Sequence, residues 1–195
     1  VALTYNFLKE FSTNLFTYIP DRYTEGYGVS KKSIDWAIEH NVSLIISLDC
    51  GVRAIEQIKY AKDNHIDFIV CDHHLPGDHL PPAIAILDMK QKDCSYPYKD
   101  LSGCGVGFKL LQGFCIQNGI EETKLLKWLD LLAISIASDI VPMTGEKRVL
   151  AHYGIRKINS IASAGVEALI SKAGLQKPLE ISNIVFGIGP RINAA

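Results

Sequence analysis

The chain has 195 residues, of which 48% are hydrophobic and 21% charged, and its formal net charge is −1. This composition is that of a globular domain with a sizeable core, and it excludes a disordered chain. The near-neutral charge argues against a large basic surface that wraps nucleic acid, although a local basic groove is compatible with it. No apolar stretch reaches the roughly 20 residues of a membrane helix, so we expect no membrane association.

The first half of the chain alternates between helix-like and strand-like patterns. Apolar spacing predicts helices over 1–13 and 53–64, and a further helix that starts after Ser30, a candidate N-cap. Short apolar runs predict strands at 15–19, 44–48, 68–71 and 83–87. Strands that alternate with helices through short links are typical of an α/β fold with a parallel sheet flanked by helices.

The pattern changes near residue 100, where it becomes mainly helical. The predicted helices of this second half lie at 105–118, 123–138, 146–159, 163–173 and near 180–187. We therefore divide the chain into an α/β core over 1–100 and a helical remainder over 101–195.

Acidic and histidine residues follow the predicted strands. Asp49 ends the strand at 44–48, the run Asp72-His73-His74 ends the strand at 68–71, and Asp88 ends the strand at 83–87. Ligands bind beyond the carboxyl ends of parallel strands, and adjacent strands lie about 4.8 Å apart. Carboxylates with imidazoles suit Mn²⁺, Fe or Zn²⁺. A lone Asp at the end of a strand is more often a helix N-cap than a metal ligand. Asp72-His73-His74 after one strand and Asp49 after its neighbour together favour a metal site.

Three weaker signals lie in the second half. Asp139 follows an apolar helix face just before Pro142, where an acid is costly unless it is paired with a backbone N–H or bound to metal. The turn 102–107 is glycine-rich and precedes a helix that carries Lys109, so it is either a phosphate-binding turn or a tightly packed one. Arg191 lies in a glycine-rich tail and is either a phosphate ligand or a surface residue.

The residues quoted above resemble a known family. Asp72-His73-His74, followed by Leu75-Pro76, is the motif that names the DHH phosphoesterase superfamily. Further segments narrow the resemblance to RecJ-type exonucleases, and they lie at 20–28, 47–51, 102–110, 137–148 and 187–195. The resemblance covers nearly the whole chain in the same order.

The resemblance implies a role for each site residue. Asp49 would bridge two Mn²⁺ or Mg²⁺ ions, and His73 and Asp139 would complete the shell of one ion. His74 would face the scissile phosphate, and Asp72 would orient a histidine. DNA phosphates would be held by Gly103, Gly105, Lys109, Arg191 and Arg22.

The same resemblance implies a cytoplasmic exonuclease that degrades single-stranded DNA from the 5′ end in repair and recombination, with a single-strand-binding protein and a helicase as partners. The family's first, Asp-rich motif is not found in this sequence. We therefore expect that the chain begins just past that motif and ends before the family's C-terminal domains. As given, it should hold at most one metal ion weakly and be nearly inactive.

Two alternatives stay open. The first is a DHH enzyme of short substrates, such as a phosphodiesterase of nanoRNA or cyclic dinucleotides, or a family II pyrophosphatase. Such enzymes share the Asp49 and Asp-His-His motifs but lack the segments at 25–28 and 189–193. The second is a non-catalytic scaffold with the same fold, which the retained Asp49, His73 and Asp139 disfavour.

Overall fold

Three parallel strands form the sheet within residues 1–139 and 142–193, the parts of the chain that the computed structural model describes. They are β1 (Leu44–Leu48), β2 (Asp67–Cys71) and β3 (Ala85–Leu87), and they lie in that spatial order. The register pairs Leu48 with Cys71 and Cys71 with Leu87, so all three strands end at the same edge of the sheet.

Helices surround this sheet and make up the second half of the chain. They are α1 (Ala2–Leu8), α2 (Lys31–Glu39), α3 (Ile55–Asp63), α4 (Gly103–Asn118), α5 (Thr123–Leu126), α6 (Leu129–Ser138), α7 (Gly145–Ile161), α8 (Ala164–Lys172), α9 (Ile181–Asn183) and α10 (Gly189–Asn193). A π-helical turn, Ile184–Ile188, joins the last two. The fold confirms the predicted parallel α/β sheet flanked by helices and followed by a mainly helical segment.

The helix boundaries follow from local side-chain chemistry. The Ser30 hydroxyl accepts the N–H of Ser33, which confirms the predicted cap of α2. Ser102 caps α4 in the same way by accepting the N–H of Gly105. The other end of α4 stops at Gly119, whose φ of 62° is left-handed and suits glycine.

Three predicted elements differ from the structure. Residues 15–19 form no strand. Phe16 and Tyr18 pack on Trp36, and no main-chain hydrogen bond joins the segment to β1 among the described residues. A β-like pattern does not make a strand unless its amide groups find a partner strand. The helix predicted at 123–138 is broken into α5 and α6, because Trp128 leaves helical geometry at φ −105° and ψ 13°. The helix predicted at 1–13 ends at Leu8.

The apolar core lies in layers on both faces of the sheet. Ile34 of α2 and Ile58 of α3 pack with Phe68 and Val70 on one face. On the other face, Val106 of α4 packs with Cys71, Leu101 and Met89. The opposite side of α4 joins α1, α6 and α7 through a cluster that includes Phe7, Phe108, Leu111, Leu132 and Ala151. Helix α4 therefore bridges the sheet and the helical half, and the division at residue 100 remains a prediction.

Candidate metal centre

The edge of the sheet where the strands end carries the acidic residues. Asp49 follows β1 and donates its N–H to the Cys71 carbonyl at 2.8 Å, and Asp72 follows β2 and donates its N–H to the Leu87 carbonyl at 3.0 Å. Asp49 has a φ of 67°, a left-handed conformation that non-glycine residues rarely adopt. Strained backbone of this kind persists where neighbouring contacts hold it, often at functional sites.

Three side chains form a compact cluster at this edge. One ligand atom from each of Asp49, His73 and His74 lies within 4.8 Å of the other two. His73 Nε2 lies 3.0 Å from Asp49 Oδ1, and the two histidine rings are 4.7 Å apart between centroids. The cluster therefore unites the end of β1 with the end of β2, as the strand order predicts.

Asp139 lies on the other side of the His73 ring. Its Oδ2 is 3.8 Å from His73 Nδ1, whereas Asp49 faces Nε2. The hydrogen bond to Asp49 raises the pKa of His73, burial opposes that shift, and Asp49 and Asp139 add a Coulombic contribution in the same upward direction. The two carboxylates therefore favour positive charge at the His73 ring.

Asp72 is buried, and its carboxylate forms hydrogen bonds with neighbouring residues instead of facing the open side of the cluster. Its carboxylate accepts the N–H groups of Val52, His73 and His74, and its Oδ1 lies 2.7 Å from His74 Nδ1. Burial raises the pKa of Asp72, but these hydrogen bonds outweigh it and hold the pKa below its usual value. The carboxylate thereby contacts the ring of His74, and its orienting role stays a prediction.

The donor set fits a divalent cation. His73 Nδ1 and Asp139 Oδ2 are buried and have no hydrogen-bond partner in the described part of the chain. Buried polar atoms are normally satisfied, so such atoms point to a missing water or ion. Two carboxylates and two imidazoles are ligands that Mn²⁺ accepts readily and Mg²⁺ accepts through oxygen.

The predicted phosphate-binding glycines lie beside the cluster. Gly103 begins α4 directly against the Asp49 side chain, and a Cβ built on Gly103 would lie 2.5 Å from the Asp49 Cβ and closer still to the carboxylate. The Gly105 N–H is already donated to the Ser102 hydroxyl. The Asp49 carboxylate therefore lies at the N-terminus of α4, where the helix dipole favours an anion.

The predicted basic residues lie apart from the cluster. Lys109 pairs with Glu146 and donates to Gln112 at 2.7 Å, so its amino group is occupied. The Arg191 guanidinium is exposed and donates to the Gly187 carbonyl. Arg22 lies over the ring of Tyr27, 5.9 Å from its centroid.

Two further residues at the site were not predicted. Tyr27 donates its hydroxyl to the Asp49 carbonyl, and its ring centroid is 6.1 Å from that of His74. Burial and the Asp49 carboxylate raise the pKa of Tyr27 to about 12, so the hydroxyl remains a donor. The second is Lys147 of α7, which lies 3.7 Å from Asp139. Nothing in the spacing of Lys147 distinguished it from a surface lysine.

Within the described ranges, no helix is both long enough and apolar enough to cross a lipid bilayer.

Fold and site together define a protein of the DHH class, and the comparison with known families agrees. The model described as "DHH family, N-terminal domain" matches residues 1–136, so the chain belongs to the DHH family. Within that family it is similar to RecJ. It is 34% identical to the single-stranded-DNA-specific exonuclease RecJ of Escherichia coli (strain K12) over 94% of the chain, and 37% identical to that of Bacillus subtilis (strain 168) over 96%.

Solved structures show the same relationship. A crystal structure of exonuclease RecJ bound to manganese matches 100% of the chain with a TM-score of 0.88 and 28% identity. RecJ of Thermus thermophilus in complex with Mn²⁺ matches it with a TM-score of 0.81 and 25% identity. The chain spans 34% and 23% of the lengths of the two curated relatives, and 48% and 27% of the two crystallised chains.

Proposed function

We propose that this chain carries metal-binding residues of a RecJ-type exonuclease, which removes nucleotides from the 5′ end of single-stranded DNA. The observation that carries the proposal is the cluster of Asp49, His73 and His74 at the shared edge of β1 and β2. The similarity to single-stranded-DNA-specific exonucleases supports the substrate class. We extend the proposal to a cytoplasmic role in DNA repair and recombination, with a single-strand-binding protein and a helicase as partners.

We expect Asp49, His73 and Asp139 to hold Mn²⁺ or Mg²⁺, with Asp139 on the opposite side of the His73 ring from Asp49. When bound, such ions polarise a phosphoryl group and make water a stronger nucleophile near neutral pH. Of the three ligand atoms that lie within 4.8 Å of one another, we assign those of Asp49 and His73 to one ion and that of His74 to the substrate. We therefore expect the 195-residue chain by itself to bind one ion weakly and to hydrolyse DNA slowly.

His74 and Asp72 form the second part of the proposed mechanism. In the neutral ring, donation of the His74 Nδ1 hydrogen to Asp72 leaves His74 Nε2 as an acceptor. The His74 side chain is 47% exposed, so it can meet a substrate. His74 would then accept a proton from the water that attacks the phosphate, while the buried Asp72 keeps the ring in that tautomer.

Contacts to DNA are assigned to the rim of the site. Arg22 lies over the ring of Tyr27, which contacts Asp49, and its planar guanidinium suits a phosphate. Arg191 is exposed and would contact DNA further along the strand. Gly103 and Gly105 would let a DNA phosphate approach the backbone closely. Lys109 would bind a phosphate only after breaking its ion pair with Glu146.

The test uses single-stranded DNA of defined length, with the label at the 5′ end in one sample and at the 3′ end in another. The whole gene product is assayed with Mn²⁺, beside its Asp49→Asn variant and a His152→Ala control, since His152 lies on α7 outside the cluster. We expect the 5′ label to appear at once as mononucleotide and the 3′ label to remain on shortening strands. Asp49→Asn should lower the rate by about 100-fold or more, because loss of a mere outer partner of a metal ligand already costs about 10–100-fold.

Other outcomes would favour the alternatives. Hydrolysis confined to dinucleotides, cyclic dinucleotides or pyrophosphate would indicate an enzyme of short substrates. Binding of DNA without hydrolysis or Mn²⁺ binding would indicate a non-catalytic scaffold with the same fold.

A further inference from the structure

Lys147 is a lysine with no exposed side-chain surface. It lies near the start of α7, and its side chain is 0% exposed. Lysine is almost never fully buried unless it is paired, because the removal of its amino group from water is costly. Burial lowers the pKa of Lys147, and the carboxylates of Asp139 and Asp100 oppose that shift. A specific partner must therefore compensate for its burial.

That partner is Asp139. Lys147 Nζ lies 3.7 Å from Asp139 Oδ2, and the same oxygen lies 3.8 Å from His73 Nδ1. All three atoms are buried and lack a hydrogen bond in the described part of the chain. They converge on one small polar space behind the cluster, on the side of His73 opposite to Asp49. The Asp139 side chain is 24% exposed, so its exposure comes from atoms other than Oδ2.

The backbone of Lys147 is held in place independently of this contact. The preceding residue, Glu146, accepts the Tyr96 hydroxyl at 2.6 Å and pairs with Lys109 of α4. Helix α7 also packs on α6, whose C-cap residue is Asp139, through Ala151 and Leu132. Lys147 therefore projects from a fixed position towards Asp139, the C-cap residue of α6.

We propose that Lys147 is a positioning residue of the metal centre, whose amino group holds one oxygen of Asp139 inward so that the carboxylate is oriented for a divalent cation beside His73. This inference rests on the proposed function, because it takes Asp139 to be a ligand. The competing explanation is that Asp139 merely satisfies a buried lysine and has no part in metal binding.

The test is calorimetric titration with Mn²⁺ of this chain and its Lys147→Met variant. Loss of an outer partner of a metal ligand costs about 10–100-fold in affinity, and we expect that loss for Lys147→Met. Lys147→Gln keeps an N–H donor and should bind within about threefold of the wild type, a small part of that loss. The matched control is Lys157→Met, a partly exposed lysine of the same helix that donates to the Ile161 carbonyl. It should bind like the wild type.

A double-mutant cycle covers the case in which Lys147→Met alone fails to fold. Asp139→Asn removes the unpaired buried charge, so the double variant has no isolated ion in the core. In the Asp139→Asn background, Lys147→Met should change Mn²⁺ affinity no further, because the two residues act as one unit. A further loss of the same size as in the wild-type background would overturn the proposal.

The outcomes separate this proposal from the proposed function. Wild-type binding that is lost in His73→Ala but unchanged or tighter in Lys147→Met would refute the role of Lys147 and leave the metal centre intact. Absence of Mn²⁺ binding in the wild type would contradict both.

Discussion

Gly103, the first residue of α4, lies directly against the side chain of Asp49 at the end of β1. A Cβ on Gly103 would come within 2.5 Å of the Asp49 Cβ, a separation that real Cβ atoms do not show. The glycine is thus required because the carboxylate occupies the place of its side chain. This contact fixes the position of the N-terminus of α4 relative to the Asp49 side chain of the metal cluster.

Gly103→Ala should therefore displace Asp49. We expect a loss of about 1–3 kcal/mol in the free energy of unfolding, the usual cost of overpacking, and a clear drop in Mn²⁺ affinity. Gly113→Ala is the matched control, because it lies in the same helix with no atom within 4 Å of the added Cβ. It should be neutral or stabilising by up to about 1 kcal/mol. Urea unfolding and calorimetry measure both effects, and equal behaviour of the two variants would contradict the contact.

Asp72→Asn should destabilise the protein in a pH-dependent way. The pKa of Asp72 is lower in the folded state than its usual value, so its ionisation stabilises the fold above that value. This stabilisation is lost as the pH falls through the lowered pKa. We expect the variant to lose about 2 kcal/mol near neutral pH, typical of hydrogen bonds to a charged group, and less at a pH below the usual aspartate pKa of about 3.9. Urea denaturation at both pH values checks this, and a pH-independent difference would count against it.

Mn²⁺ affinity should rise with pH because His73 must be unprotonated to bind metal. The hydrogen bond to Asp49 raises the pKa of His73 above 6.5, so competition by protons extends above that pH. Below the raised pKa we expect affinity to fall by about tenfold for each unit of pH, as for one displaced proton. Titrations between about pH 6 and about pH 8 measure the slope. A flat profile would show that His73 is not a ligand.

Tyr27→Phe should weaken metal binding without unfolding the protein. The Tyr27 hydroxyl donates to the carbonyl of Asp49, the residue in left-handed conformation. Its loss should cost about 1 kcal/mol of stability and lower Mn²⁺ affinity severalfold, because the backbone of Asp49 is less firmly held. Tyr23→Phe is the control, since Tyr23 is 101% exposed. Indistinguishable affinities for the two variants would mean that this hydrogen bond does not support the site.

Much of the fold was predictable because the information is local. The apolar runs of β1 and β2 are buried in a parallel sheet, as their composition predicts. Asp49, His73 and His74 converge because they follow adjacent strands, whose ends share one edge. The caps at Ser30 and Ser102 depend only on residues three positions away. The membership of the chain in the DHH family follows from the same local motifs.

The sequence by itself determined the class of fold, the strand ends that carry the cluster and the residue types that suit a divalent cation. The tertiary structure decided which neighbours each of them has. Residues 15–19 have the pattern of a strand but lack a partner among the described residues, and Lys109 has the charge for phosphate but pairs with Glu146. Lys147 looks like a surface lysine and is buried against Asp139. These outcomes depend on contacts between residues distant in the chain, and neither periodicity nor local propensity carries that information.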